Sequence, residues 1–156
     1  MYRNVDDFLQ DWQNYANGTL KVYNAMTDEK LNQSIVEGHN TLGWLGWHVA
    51  VVTGALGKQM GLEVDTVDDP TTVPEEASEI ARVFKKVTDQ IQQGVEKLSD
   101  DEMEVEVEAM GQTMPRGKVL NMLVQHNIHH RGQMTVLLRQ AGLEVPGVMG
   151  PTKENQ

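Results

Sequence analysis

In four stretches of this chain, residues of one kind recur at intervals of three and four. That period places them on one face of an α-helix and leaves little room for a sheet-based fold. Phe8, Trp12, Tyr15, Thr19, Val22 and Met26 form the first stripe and predict a helix from about Val5 to Met26. A second helix is expected from Thr41 to Met60, stopped by Gly61. The third opens at Thr72-Val-Pro-Glu75, where a capping hydroxyl, a proline just inside the helix and a glutamate three residues on form a start signal. It continues through Ala77, Ile80, Phe84, Val87, Ile91 and Leu98. The fourth follows Pro115, runs to about Gln140 and is closed by Gly142. An apolar content of 39% with only 5% aromatics and nine methionines suits an aliphatic helical core. The expected class is all-α, and a chain of 156 residues has the size of one domain, residues 1–156.

Between these helices the patterning changes. Met103-Glu-Val-Glu-Val-Glu-Ala109 alternates apolar and acidic residues, Met110-Gly-Gln offers a turn, and Thr113-Met114 follows, which together predict one small β-hairpin between helices three and four. Leu62 to Thr71 is acidic and loop-like. Ten extended residues reach about 33 Å, the length of a helix of about 20 residues, so this linker can return along the whole bundle. Helices two and three then need not be antiparallel neighbours. After Gly142, the Pro146-Gly147 and Gly150-Pro151 pairs describe an ordered turn or docked tail, with Lys153 to Gln156 frayed.

The second helix carries Gly43, Gly46, Ala50, Gly54 and Gly57 on one stripe. Each glycine costs roughly 1 kcal/mol of helix propensity relative to alanine, which implies a compensating close approach by another backbone. The partner is either a helix of the same chain or the second copy in a symmetric homodimer, with the second helix at or next to the interface.

Charge and composition exclude several functions. The formal net charge is -10, and Lys85-Lys86 is the only adjacent basic pair, so neither nucleic acid nor an anionic membrane is an expected partner. The first eight residues turn acidic where a signal peptide needs its apolar run, and the longest apolar stretch, around Val49 to Leu56, is too short to span a bilayer. A cytoplasmic location is the expectation. With zero cysteines, any transition-metal site must use imidazole and carboxylate.

Five histidines stand at 39, 48, 126, 129 and 130. The stripe of the fourth helix runs Val119, Leu123, His126, His130, Gln133, Leu137, which places His126 and His130 one turn apart on an interior face where they can chelate one ion. His48 lies among Trp44, Leu45, Val51, Val52 and Ala55, roughly opposite the small-residue stripe. Three interior imidazoles are costly to bury unless something accepts their lone pairs, and a divalent metal does so. His129 sits on the neighbouring stripe and is expected at the surface or behind the ligands, and His39 in a loop. Position 127 is Asn rather than the Glu of zinc proteases, so that chemistry is rejected. Gln125, Asn127 and Gln133 could orient the ligand rings, and Asp6, Asp11 and Glu37 are unranked candidates for a general base.

Three strings carry a resemblance. Trp44-Leu-Gly-Trp-His48-Val-Ala50, His126-Asn-Ile-His-His130-Arg-Gly-Gln133 and Leu137-Leu-Arg-Gln-Ala-Gly142-Leu-Glu-Val-Pro146-Gly are similar to the DinB/YfiT-like proteins, and the likeness extends over essentially the whole chain. It implies a four-helix bundle with a crossover connection, frequent homodimers, and a divalent metal held by His48, His126 and His130 at the open end. Relatives include transferases and isomerases that depend on low-molecular-weight thiols, and many are described as metal-dependent hydrolases. The expected function is therefore a metal-dependent enzyme, with zinc or nickel, activating an external thiol or water against a small-molecule electrophile. The alternative is a metal- or ligand-binding helical module without turnover.

Overall fold

The computed structural model describes residues 1–155. Four long helices, α1 (Val5–Asn24), α2 (Leu42–Gln59), α3 (Ala77–Val95) and α5 (Arg116–Gln140), form the bundle. A one-turn helix, α4 (Asp100–Met103), and an antiparallel hairpin, β1 (Glu106–Ala109) with β2 (Gln112–Pro115), lie between α3 and α5. The expected fold class holds.

Helix starts follow local chemistry. Asn4 accepts from the Asp7 amide at 3.2 Å to cap α1, and Thr41 accepts from the Trp44 amide at 3.1 Å to cap α2. The hairpin turns on Met110 and Gly111, both at positive φ, which matches the right-handed twist of the strands. Gly61 and Gly142 take positive φ where α2 and α5 end.

Around the bundle the packed pairs are α1 with α3, α3 with α2, α2 with α5, and α5 with α1, so α1 and α2 are diagonal and their connection crosses over. The segment after α2 returns along the bundle as its length allowed. Val64 lies against Gly57, the Asp65 carbonyl against Gly54, and the Pro70 carbonyl accepts from Trp47 Nε1 at 3.0 Å. Helices α2 and α3 consequently run parallel as neighbours, Gly46 facing Ile80, Gly54 facing Val87 and Gly57 facing Ile91.

That arrangement decides what the small-residue stripe is for. A Cβ at Gly57 would stand 2.5 Å from Ile91 Cδ1, and one at Gly54 would stand 2.8 Å from the Asp65 carbonyl oxygen. The stripe is filled within the chain, by α3 and the returning linker, and offers no surface to a second copy. The expectation of a dimer contact through it is corrected.

Other expectations are also corrected. Helix α3 begins at Ala77, not at Thr72. Asp69 takes the Thr71 and Thr72 hydroxyls, holding 69–72 as a turn, while Asp28 from a 3-10 turn reaches over to accept from the Ala77 amide at 2.7 Å. The cap comes from a residue distant in sequence. The helix stops at Val95 rather than Leu98. Ser99 and Glu102 then form a capping box that starts α4, so Met103 belongs to this helix and the strand begins at Glu106. Lys153–Asn155 forms a 3-10 turn rather than a frayed end, held by an Arg139–Glu154 ion pair at 2.8 Å. Gln156 lies outside the described residues.

Candidate metal centre

The site is built from two antiparallel neighbours. Asn127 on α5 is buried and its Nδ2 donates to Thr53 Oγ1 on α2 at 3.3 Å and to the Leu123 carbonyl at 3.0 Å, which fixes the two helices one turn from the histidines. In that register α2 delivers His48 and α5 delivers His126 and His130 to one place. Ring nitrogens of the three lie within 4.8 Å of one another, and all three side chains are half-buried. His48 Nε2 and His126 Nε2 are 3.1 Å apart. Two tetrahedral zinc ligands with bonds of about 2.0 Å stand about 3.3 Å apart, so the pair already has the spacing of shared ligation.

Neighbouring groups fix the rings. His130 Nδ1 donates to Gln133 Oε1 at 2.7 Å, which leaves its Nε2 as the lone-pair nitrogen. Trp44, one turn before His48 on α2, stacks on the His48 ring with centroids 4.8 Å apart and planes 7° apart. His126 Nδ1 is buried without a hydrogen-bond partner, the one side-chain nitrogen or oxygen of this kind among the described residues.

Burial keeps the cluster neutral. Desolvation is the main cause of the lowered pKa values of His48, His126 and His130, and for His126, where repulsion between protonated rings would add to it, the value falls to about 4. Neutral imidazoles are the form that ligates a metal. The donor set therefore fits a divalent ion: three convergent neutral nitrogens, no cysteine, and no carboxylate oxygen joining the group among the described residues.

Two clefts adjoin residues that touch the cluster, Trp44 in one and Gln133 in the other. One, of about 560 Å³, is walled by Trp44, Thr41, Asn32, Asp28 and Glu75; the other, of about 210 Å³, by Gln133, Val136, Leu45 and Ile35. His39 and Asn40, on the exposed loop before α2, line both.

The remaining candidates are placed as follows. His129 is exposed, its ring 4.9 Å from that of His130, and is outside the donor set. Of the three amides considered as orienting groups, only Gln133 holds a ligand ring: Asn127 braces the helices and Gln125 is exposed. Asp6 and Glu37 are exposed, and Asp11 accepts from the Tyr2 hydroxyl at 2.9 Å; none joins the imidazoles. Sequence reasoning missed the role of Trp44, although its spacing of four from His48 was the available signal.

Residues 1–156 match the model of the DinB family. The chain belongs to the DinB family. It is 38% identical over 155 residues to the uncharacterized protein YrdA of Bacillus subtilis strain 168, covering 99% of this chain and 93% of YrdA. A DinB-like protein from Bacillus cereus ATCC 10987 superposes with a TM-score of 0.90 at 37% identity, over 95% of this chain and 99% of the other. The mycothiol-dependent maleylpyruvate isomerase shares the fold at a TM-score of 0.65 and 19% identity, over 83% of this chain and 60% of that one. No helix among the described residues is long and apolar enough to cross a membrane.

Proposed function

We propose that this DinB-family protein is a metal-dependent enzyme of the thiol-dependent transferase or isomerase type, or a hydrolase, with His48, His126 and His130 holding one divalent ion, zinc or nickel. The observation that carries this reading is the convergence of three neutral ring nitrogens with one ring locked through Gln133. The mycothiol dependence of the isomerase that shares the fold supports a low-molecular-weight thiol as the co-reactant, and the absence of cysteine from the chain requires that thiol to be external.

His48, His126 and His130 would hold the divalent ion, which would supply Lewis acidity to a water, a thiol or a substrate oxygen. The chain's own groups supply orientation. Gln133 fixes the His130 tautomer, Trp44 holds the His48 plane, and Asn127 with Thr53 keeps the two helices in register. The clefts lined by His39 and Asn40 end at Trp44 and Gln133, which touch the His48 and His130 rings, and so offer room for a small electrophile next to the site. A homodimer, which the family resemblance implies, must use a surface other than the glycine stripe, and light scattering decides whether one forms.

The test is turnover by metal-loaded protein, offered small electrophiles with and without low-molecular-weight thiols. Product formation that is lost in His126→Ala is expected. Full metal occupancy with no turnover under any thiol or water condition would favour the non-catalytic binding module instead.

A further inference from the structure

Arg131 is the one charged residue buried among the described residues, 5% exposed. It has no acidic partner among them. Its Nη1 donates to the Tyr15 carbonyl and to Thr19 Oγ1, both at 3.4 Å, the long limit of a hydrogen bond, and both acceptors are neutral. Nε and Nη2 make no bond among the described residues, yet neither is sealed away from solvent, since His126 Nδ1 is the only unpartnered side-chain atom that is. These two nitrogens therefore keep a narrow contact with solvent, and Arg131 lines clefts on either side of it. A guanidinium with two donors not used by the protein presents the fork that matches a carboxylate.

Arg131 borders two clefts separated by the tail residues Val148 and Met149. On the α5 side the other cation, Arg139, is already paired with Glu154. On the α1 side a cavity of about 470 Å³ is lined by Asn14, Tyr15, Asn17 and Lys21. Lys21 has no ion pair among the described residues. Asp11 is the single acid on this wall, so Arg131 and Lys21 less Asp11 leave one positive charge, on a chain whose net charge is -10. Gly18 keeps the guanidinium close to α1: a Cβ there would stand 2.7 Å from Val148 Cγ1 and 3.3 Å from Arg131 Nη1.

We propose that this cleft binds a small monocarboxylate, independently of the histidine cluster. The carboxylate pairs with the Arg131 guanidinium and with Lys21, the Asn14 and Asn17 amides border it, and a short apolar body lies against Tyr15, Val148 and Met149. One unit of negative charge matches the wall, whereas a phosphate dianion overshoots it.

The experiment is a titration of the full chain with butyrate at constant ionic strength, followed by the Arg131 Nε–H resonance in a nitrogen-15 NMR spectrum, with chloride, butyramide and inorganic phosphate as controls. Butyrate is expected to shift that resonance saturably while chloride and butyramide do not. Lys21→Glu, an exposed change that leaves the core untouched, should weaken butyrate about tenfold or more. His126→Ala should leave butyrate binding unchanged. An absence of saturable shift, phosphate binding as tightly as butyrate, an unaltered affinity in Lys21→Glu, or loss of binding in His126→Ala overturns the proposal.

Discussion

Helix α2 has two faces that the rest of the chain treats differently. On one, Gly43, Gly46, Ala50, Gly54 and Gly57 admit Leu31, Ile80, Val87, Ile91 and the linker so closely that the contact is dry and full. On the other, the half-buried His48 meets His126 and His130, and a cleft runs up to Trp44, which stacks on the His48 ring. The first face spends helix propensity on packing and gains rigidity. The second brings three ring nitrogens together where one ion could take their lone pairs. The packed face fixes α2 against α3 and the linker, while the Asn127–Thr53 hydrogen bond ties α2 to α5 beside the imidazoles.

Overpacking the dry face should break the fold most. Gly54→Leu places a side chain against the Asp65 carbonyl and Val87, and should cost about 1–3 kcal/mol or more by urea denaturation. No change in assembly state should accompany the loss. A loss of association in a monomer of unchanged stability would restore the stripe to an interface role.

Loosening the open face should act on binding and spare the fold. Gln133→Ala removes the acceptor that locks His130 and should weaken metal affinity about 10- to 100-fold by competition with a chelator. Its urea midpoint should stay near that of the parent, since Gln133 is exposed. Equal affinity would show that the His130 ring needs no orienting partner.

A smaller effect is expected where α3 begins. Asp28→Ala leaves the Ala77 amide uncapped and should destabilise by about 1 kcal/mol, with metal affinity unchanged. A Thr72→Ala effect of that size with a silent Asp28→Ala would return the cap to the position the sequence suggested.

Acid should destabilise the metal-free protein through the open face. The folded His126 pKa, about 4, lies below its ordinary value of 6.5, so the unfolded chain binds a proton more readily. The neutral ring's contribution to stability is complete above about pH 6.5 and is lost as pH falls toward about 4. His126→Asn should flatten that part of the stability profile, and an unchanged slope would place the titration elsewhere.

How much of this was legible follows from range. Helices α1, α2 and α5, the hairpin and the pairing of His126 with His130 are encoded by residues one turn or one strand apart, so periodicity reveals them. The α3 start was not legible, because its cap is Asp28, 49 residues away, and Thr72 is diverted by Asp69. Nor was the owner of the glycine stripe: a close approach is implied by five small residues, but a same-chain helix and a second copy make the same demand. Gln133 and Asn127 have alike chemistry and both were candidates. Only the bundle's packing buries Asn127 against Thr53 and leaves Gln133 within reach of a ligand ring.

The central claim is that the open face of α2 and α5 is a metal site. Elemental analysis of protein purified without a polyhistidine tag tests it most directly, alongside His48→Ala, His126→Ala, His130→Ala and His39→Ala. The account predicts one divalent ion per chain, lost in each of the first three variants while helical content persists, and retained in His39→Ala. Full occupancy in His48→Ala, or a metal-free parent after incubation with zinc and nickel, would contradict it.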